Sequence, residues 1–416
     1  MTKITEFQEN TNWLRLGIEN RSFIESNSLL YNFSHQDIKQ LIDIALDLQS
    51  WGEKPLSFYL PKEIRTNLKD KELKKYIINT IKDAWLALKA NPTDYTNFVP
   101  NRDIEKENLI YEDTGKDRVI LGDCPVASEK TRCCNLKTLD SVINCGFDCS
   151  YCTIQSFYRG GKILFEKNLK NKLQNINLDK NKKYHIGTGQ SSDSLMWGNY
   201  NNNLEDLFNF AIENTNIILE LKTKSANIDY LLKTTVPKNV ICTWSINPDI
   251  IIQNEEHLTA SLNERLDAAK KVHDKGILVG FHFHPMVHYS NWENDYKEIA
   301  NKIMSSFDPQ KVALISIGTL TFIKPVIKQI RNRNFKTKIL QMPLVDAEGK
   351  FSYPYNIKKE MFSTLYSYFK DWHTKVFFYM CMEDKKLWMD VFNREYQTNE
   401  DFELDMITNY FTKIED

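Results

Sequence analysis

The chain has 416 residues, and 42% of them are hydrophobic, which is enough for a sizeable core. Its 54 basic and 55 acidic side chains nearly cancel, so the net charge gives no general attraction to nucleic acid. The first residues show no basic region followed by an apolar run, and no apolar stretch is long enough to span a bilayer. We therefore expect a globular cytoplasmic protein without a membrane partner, and the eight cysteines fit a reducing compartment.

The N-terminal part of the chain is predicted to be helical. Apolar residues share one helical face over residues 35–51 and again over 72–90, where Asn91 and Pro92 end the pattern. Such stripes are typical of buried helix faces, and no chemistry is assigned to them. The residues that follow are rich in charge and turn formers, so we predict a helical N-terminal region with an irregular linker over residues 1–136.

Three cysteines stand close together in the run Cys-Gly-Phe-Asp-Cys-Ser-Tyr-Cys, at Cys145, Cys149 and Cys152. Cysteine thiolates at short local spacings hold iron–sulfur clusters, and a cubane with three protein sulfurs keeps one iron open to a ligand. Two alternatives remain at this point. The first is a structural zinc site that borrows Cys133 or Cys134 as its fourth ligand, and the second is three unligated buried thiols.

From residue 137 onward, short β-rich runs alternate with amphipathic helices, which is typical of a parallel sheet. We predict six strands and three clear helices, with the strands at 138–144, 183–188, 216–222, 239–246, 277–284 and 311–317 and the helices at 203–214, 262–275 and 291–306. Six units are too few for a complete eight-fold barrel. The sequence therefore predicts an α/β fold in which residues 137–344 form a partial (β/α)6 TIM-type barrel.

The C-terminal residues 345–416 are predicted to form a small α+β extension of this barrel. An aromatic-rich helix is expected at 358–372, a strand at 375–382 and a further helix from residue 384. Cys381 lies at the end of that strand.

Unusual residues fall at the predicted carboxyl ends of the strands, where βα barrels place their chemistry. They include the cysteine loop, the glycine-rich run at 187–194, Lys222 and Lys224, Ser245 and Asn247, and His282 and His284. Gly189 allows close approach of a ligand, and Gln190 and Ser191 offer hydrogen-bond donors. Each group also has an ordinary explanation, namely a tight turn, a solvated strand end or satisfied core histidines.

The cysteine spacing, with an aromatic residue before the third cysteine, resembles the signature of the radical S-adenosylmethionine (SAM) superfamily. The resemblance implies that Cys145, Cys149 and Cys152 ligate a [4Fe–4S] cluster whose open iron binds SAM, and that Tyr151 lies against the bound cofactor. It also implies reductive cleavage of SAM to methionine and a 5′-deoxyadenosyl radical. The electron would come from a reductant such as flavodoxin or ferredoxin.

Further motifs resemble one family within that superfamily, the spore photoproduct lyases. They are Gly-Thr-Gly-Gln-Ser-Ser-Asp-Ser-Leu at 187–195, Leu-Lys-Thr-Lys-Ser at 221–225, Trp-Ser-Ile-Asn-Pro at 244–248 and Gly-Phe-His-Phe-His-Pro at 280–285. The resemblance implies repair of a methylene-bridged thymine dimer, and hence a damaged nucleic acid base as substrate. It implies SAM contacts by Lys224, Ser245 and Asn247, with Gln190 near the reacting centre. Gly189, Ser191 and His284 complete the predicted cofactor contacts.

Two positions depart from the family pattern. Gln190 stands where the lyases have a hydrogen-donating cysteine, and Thr153 stands where they have a second tyrosine. Neither an amide nor a hydroxyl replaces a thiol as a hydrogen-atom donor. We therefore expect SAM cleavage to be retained, and Cys381 is the candidate substitute donor if the C-terminal segment folds over the barrel mouth.

Three alternatives follow from these departures. Cys381 is otherwise a buried strand cysteine. The enzyme acts by radical chemistry on a small molecule or peptide if the DNA role has been lost. From another class, the chain is a non-catalytic metal-binding interaction protein.

Overall fold

The computed structural model describes residues 4–60, 70–100, 110–113, 118–124, 131–153, 162–333, 335–347 and 349–415. Parts of the predicted N-terminal region and linker, at 61–69, 101–109, 114–117 and 125–130, lie outside these residues. Among the helices described, none has both the length and the apolar character needed to cross a membrane. The chain forms two compact units. The first comprises Met1–Ile104, His288–Ser290 and Thr321–Tyr353. The second comprises Glu105–Val287, Asn291–Leu320 and Pro354–Asp416, and it contains all predicted site residues.

The α-helices are, in chain order, α1 (Thr5–Gln8), α2 (Thr11–Arg15), α3 (Ile18–Tyr31), α4 (His35–Trp51), α5 (Asp70–Ala90), α6 (Leu169–Gln174), α7 (Asn203–Glu213), α8 (Asp229–Lys233), α9 (Asp249–Glu255), α10 (Leu262–Asp274), α11 (Trp292–Ser306), α12 (Lys324–Asn332), α13 (Tyr355–Tyr368), α14 (Lys385–Phe392) and α15 (Asn399–Glu415). Short 3₁₀ turns lie at Leu56–Tyr59, Tyr200–Asn202, Pro309–Lys311 and Lys370–Trp372.

The strands are, in chain order, β1 (Ile110–Asp113), β2 (Leu121–Asp123), β3 (Thr131–Arg132), β4 (Lys137–Leu139), β5 (Val142–Ile143), β6 (Asp148–Cys149), β7 (Lys162–Phe165), β8 (Tyr184–Thr188), β9 (Ile217–Thr223), β10 (Val240–Ser245), β11 (Glu256–His257), β12 (Val279–Met286), β13 (Val312–Thr319), β14 (Thr321–Ile323), β15 (Val345–Ala347), β16 (Lys350–Ser352), β17 (Phe377–Met380) and β18 (Glu383–Asp384).

In the part of the chain that the structure describes, eight strands form one sheet in the order β17-β13-β12-β10-β9-β8-β4-β2. All neighbouring strands from β17 to β4 are parallel, and β2 joins β4 antiparallel. The predicted α/β partial barrel is therefore confirmed. The strand predicted in the C-terminal extension, β17, pairs with β13 and adds a further parallel strand to the barrel sheet.

The predicted first strand at 138–144 is divided. Its start forms β4 in the large sheet, whereas its end forms β5, which pairs with β7 in a separate small sheet. The domain boundaries proposed at residues 136 and 344 remain predictions.

The two faces of the large sheet carry different partners. Helices α7, α10 and α13 pack on one face, against β9, β10, β12 and β13. The opposite face is here called the inner face. It carries five side chains, one from each of β8, β9, β10, β12 and β13, which are linked by hydrogen bonds: His185, Glu220, Thr243, His282 and Ser316. Helix α15 reaches this face, where the ring of Tyr410 meets those of His185 and Phe377.

A short antiparallel ladder joins the segment before β4 to the segment after β17. Strand β3 precedes β4, β18 follows β17, and the two pair antiparallel with Arg132 opposite Glu383. The segments at residues 131–136 and 381–384 are thus held together. This connection brings Cys133 and Cys134 towards Cys381.

The first unit is organised around α4, which runs over the predicted residues 35–51. Ser34 begins it with a capping box to Asp37, and Gly52 ends it in the left-handed region at φ +74°. Within the unit, the buried Asp47 carboxylate accepts two hydrogen bonds from Arg331, at 2.7 and 2.8 Å.

Candidate active site

The cysteine loop is anchored to a second segment that follows β10. Strand β6 contains Cys149 and pairs antiparallel with β11, so that Cys149 lies opposite Glu256. The main-chain N–H of Ser150 donates to the Glu255 carbonyl at 2.8 Å, and its hydroxyl donates to the Glu255 carboxylate. Cys152 N–H closes a turn on the Cys149 carbonyl at 3.2 Å. Backbone bonds therefore fix the loop that presents the cysteines.

The three thiols are shielded from water to different degrees. Cys149 is buried, whereas Cys145 and Cys152 are partly buried. Burial raises the pKa of the Cys149 thiol to about 12 and that of Cys145 well above its ordinary value. Thiolates are the metal-binding form, so metal binding must release protons here.

Three cysteines on one short loop are the donor set that a cluster held by three sulfurs requires. Over residues 131–153 and the rest of the described chain, no group of three or more His, Cys, Asp or Glu side chains is arranged to hold a metal ion. The Cys145 sulfur instead lies 3.9 Å from that of Met196. The structure places Cys133 and Cys134 beside Cys381, so neither supports the alternative in which one of them is the fourth zinc ligand.

Glu256 is the centre of a buried network beside the loop. One carboxylate oxygen accepts from the Tyr151 hydroxyl and from the Asn247 amide at 2.8 Å, and the other accepts from Arg265 at 2.6 Å. Burial alone would raise the pKa of Glu256, but the Arg265 guanidinium and the Lys224 ammonium lower it to about 2. The carboxylate is therefore ionised and holds Tyr151 in place.

Lys224 lies beside Glu256 and Tyr151 in this network. Its Nζ atom is 3.8 Å from a Glu256 oxygen and 5.2 Å from the centroid of the Tyr151 ring. Burial lowers the pKa of Lys224, but Glu256 and the thiol of Cys149 outweigh it and the net pKa is raised. An ammonium in this position stays charged and is available to a ligand carboxylate.

Ser245 and Asn247, both predicted cofactor contacts, are buried in the same network. The Ser245 carbonyl accepts from Arg265 at 2.9 Å. Asn247 donates to Glu256 and accepts from the Tyr296 hydroxyl at 2.8 Å. A second amide hydrogen and a second oxygen lone pair remain available on Asn247.

The glycine-rich run after β8 is shaped by Asp193. Its carboxylate accepts from the Thr223 hydroxyl at 2.7 Å and from the main-chain N–H groups of Leu195, Met196 and Lys224 at 3.0, 2.9 and 2.7 Å. Ser191 donates its hydroxyl to Asp140. These bonds tie the run both to the end of β9 and to the turn that follows β4.

Gly189 allows this run to approach β9 closely. Its φ is +88°, and a Cβ atom there would lie 2.7 Å from the Lys222 carbonyl oxygen and 2.8 Å from the Ser194 hydroxyl. Both the conformation and the contact therefore require glycine.

We expect Gly189→Ala to lower the free energy of unfolding by about 2–4 kcal/mol, because a left-handed conformation and a steric overlap are imposed together. Gly276→Ala is the matched control, since Gly276 has the same φ of +88° but no atom within 4 Å of the added carbon. The control should cost only about 1 kcal/mol. If chemical denaturation shows the same loss of unfolding free energy for both variants, the close contact of Gly189 with the Lys222 carbonyl is contradicted.

The two predicted histidines of β12 differ in their surroundings. His282 is buried and bonded to Glu220 at 2.6 Å and to Ser316, and burial lowers its pKa to about 4. It is a satisfied core histidine, which is the ordinary explanation given above. His284 is partly buried, and burial together with the nearby Lys222 lowers its pKa well below the usual range. Its imidazole is therefore neutral at pH 7.

Gln190, which follows β8, and Cys381, which follows β17, both lie near Lys222 of β9. Gln190 follows Gly189, which packs on the main chain of Lys222, and its side chain has no hydrogen-bond partner among the described residues. Cys381 follows β17 and donates its N–H to the Ile317 carbonyl at 3.0 Å. Burial raises the pKa of the Cys381 thiol to about 12, and the ammonium of Lys222 opposes this effect.

Sequence reasoning missed three residues of the site. Glu256 and Arg265 were assigned no role, although an acidic pair in the loop after β10 and an arginine in the first turns of α10 are visible in the sequence. Glu220 was missed as well. A carboxylate inside an otherwise apolar strand was the signal that pointed to it.

A family model described as spore photoproduct lyase matches residues 140–377. Among curated proteins, the spore photoproduct lyase of Clostridium acetobutylicum is 25% identical over 234 residues, which are 52% of this chain and 64% of that protein. The enzyme of Bacillus subtilis is 31% identical over 124 residues, 29% of this chain and 36% of that protein. The chain thus matches less than two thirds of the length of these relatives.

Solved structures of spore photoproduct lyase variants share the fold. One with dinucleoside spore photoproduct has a TM-score of 0.54 at 20% identity, covering 65% of this chain and 81% of that one. One with bound SAM and the same dinucleoside has a TM-score of 0.54 at 16% identity, covering 82% and 94%. Because the family model spans more than half of the 416 residues and includes the whole cysteine loop, the chain belongs to the spore photoproduct lyase family.

Proposed function

We propose that the chain is a radical SAM enzyme that abstracts a hydrogen atom from a damaged or modified nucleic acid base. The observation that carries the proposal is the three-cysteine loop, fixed by β11 beside the Glu256 network at the carboxyl end of the sheet. A [4Fe–4S] cluster and SAM bound there would supply a 5′-deoxyadenosyl radical, with one electron from a reductant such as flavodoxin or ferredoxin. Membership of the family supports the same assignment.

The residues of the loop and network would divide the work of holding the cofactors. Cys145, Cys149 and Cys152 are the proposed cluster ligands. Tyr151 lies against SAM with its hydroxyl held by Glu256, so that its ring is fixed before the cofactor arrives.

The SAM contacts surround this loop. The charged Lys224 holds the SAM carboxylate, and Ser245, Asn247, Gly189, Ser191 and His284 are the remaining proposed contacts. Gly189 supplies close backbone approach. The hydroxyl of Ser191 donates to Asp140, which fixes the position of this side chain in the run.

The lesion named for the solved relatives, the dinucleoside spore photoproduct, is the leading substrate candidate. Cys381 is the proposed hydrogen donor to the product radical, because it is a protonated thiol that interacts with Lys222. The main chain of Lys222 packs on Gly189, and the next residue, Gln190, stands in the donor position predicted from the family. Hydrogen transfer forms the product C–H bond and breaks the S–H bond. The resulting sulfur radical returns to a thiol with one electron from the reductant and one proton.

We expect Cys381→Ala to leave 5′-deoxyadenosine formation intact and to lower the yield of repaired product per SAM cleaved, because the product radical loses its hydrogen source. Liquid chromatography of both compounds after anaerobic turnover measures the ratio. Adding Gln190→Cys to Cys381→Ala should restore the yield. An unchanged ratio in Cys381→Ala would eliminate Cys381 as the donor.

Gln190 and Thr153 favour a second candidate, radical chemistry on a different small molecule or peptide. Both replace residues that the resemblance to the lyase family implies in quenching of the radical. The discriminating experiment is whether a photoproduct dinucleotide accelerates 5′-deoxyadenosine formation above the rate without substrate. No acceleration would reject repair of that lesion and favour the second candidate.

A further inference from the structure

Lys222 lies in β9 and Lys224 directly follows that strand, and the two lysines have different surroundings. Glu256 and the thiols of Cys149 and Cys152 raise the pKa of Lys224, and the nearby Arg265 lowers it. Glu220, Cys381 and Cys134 raise the pKa of Lys222, and Lys224 lowers it. The two ammonium groups therefore serve different parts of the barrel mouth.

Among the described residues, the Lys222 ammonium has no ion-pair or hydrogen-bond partner, whereas Lys224 approaches Glu256. The nearest carboxylate, Glu220, is already occupied by three donors, Thr243 at 2.6 Å, His282 at 2.6 Å and His185 at 2.9 Å. A shielded charge without a partner is costly, and burial accordingly lowers the pKa of Lys222.

The unpartnered ammonium lies where a substrate would meet the donor thiol. The Lys222 main chain packs on Gly189, directly before Gln190, whose amide is also without a partner among the described residues. Cys381 lies close enough to Lys222 for its ammonium to lower the pKa of the thiol. Lys222 is partly rather than fully buried, so a ligand can reach it.

We propose that Lys222, with Gln190 beside it, forms a subsite for an anionic oxygen group of the substrate, a phosphate or a carboxylate. That this anionic group belongs to a substrate rests on the proposed function. The ammonium would pair with the anion, and the Gln190 amide would donate a second hydrogen bond. The subsite thereby selects substrates with a negative charge near the hydrogen that returns from Cys381.

The test measures anion binding directly, on protein reconstituted with iron and sulfide and saturated with SAM. Inorganic phosphate and acetate are titrated separately by calorimetry at constant ionic strength, and the tighter of the two identifies the group. We expect Lys222→Met to weaken that binding by about 10- to 100-fold, the usual effect of losing a charge-assisted hydrogen bond. Lys222→Arg keeps the charge and should retain binding.

Lys233→Met is the matched control, because it removes the same charge from an exposed position in α8. It should bind the anion as the natural chain does. Equal binding by the natural chain and Lys222→Met would overturn the proposal, and so would a loss of SAM affinity in Lys222→Met as large as that in Lys224→Met. Lys222-dependent anion binding without any 5′-deoxyadenosine formation would support the subsite and reject the proposed function alone.

Discussion

Replacement of Cys149 by alanine is expected to leave the reconstituted protein without iron and sulfide above background. Cys149 is the middle one of the three proposed cluster ligands, and its backbone is fixed opposite Glu256 by the pairing of β6 with β11. Two remaining thiols are too few for a cluster normally held by several cysteines. Iron and sulfide analysis, together with visible absorption, measures the loss.

Cys242→Ala is the control for this prediction. Cys242 is also fully buried, and burial raises its pKa to about 12, but it lies within β10 and not in the loop. This variant should keep its full iron and sulfide content. Retention of the cluster by Cys149→Ala would exclude Cys149 as a ligand.

The second large effect is expected for Glu256→Ala, which should lower the free energy of unfolding by about 3–5 kcal/mol. The substitution leaves Arg265, which is fully buried, without its carboxylate, and removes the acceptor of Tyr151 and Asn247. Denaturant unfolding of the metal-free protein measures the loss separately from cluster binding. Glu264→Ala should cost about 1 kcal/mol, because Glu264 only completes the exposed cap of α10.

Two further measurements test the cause of this loss. Arg265→Met combined with Glu256→Ala should cost less than the sum of the single substitutions, because the Arg265 guanidinium is then no longer left buried without its carboxylate. Since the folded pKa of Glu256 is about 2 against an ordinary 4.5, its ionic stabilisation is complete above pH 4.5 and disappears as the pH falls towards 2. The stability gap between the natural chain and Glu256→Ala should therefore shrink over that interval, and a gap that is constant with pH would exclude the ionic origin.

Local patterns made the cysteine loop and the strand ends predictable from the sequence. The spacing of Cys145, Cys149 and Cys152 is itself the chemical signal, and apolar runs with intervening helices located β8, β9, β10, β12 and β13. The glycine at 189 was recognised as a point of close approach, and its positive φ and contact with Lys222 give the physical reason.

Pairings between distant segments were not predictable in the same way. Strand β11 has two residues, and only its pairing with β6 shows that Glu256 supports Tyr151. The role of β17 likewise depends on its pairing with β13, which brings Cys381 to the barrel. Such contacts follow from tertiary packing and leave no periodic pattern in the chain.

The three-cysteine loop is proposed to support reductive cleavage of SAM. The most direct measurement is 5′-deoxyadenosine formation by the anaerobically reconstituted natural chain with dithionite and SAM, compared with the Cys149→Ala protein. We predict that 5′-deoxyadenosine accumulates with the natural chain and not with the variant. A natural chain that holds an intact cluster but forms no 5′-deoxyadenosine would contradict the claim and favour a non-catalytic metal-binding protein.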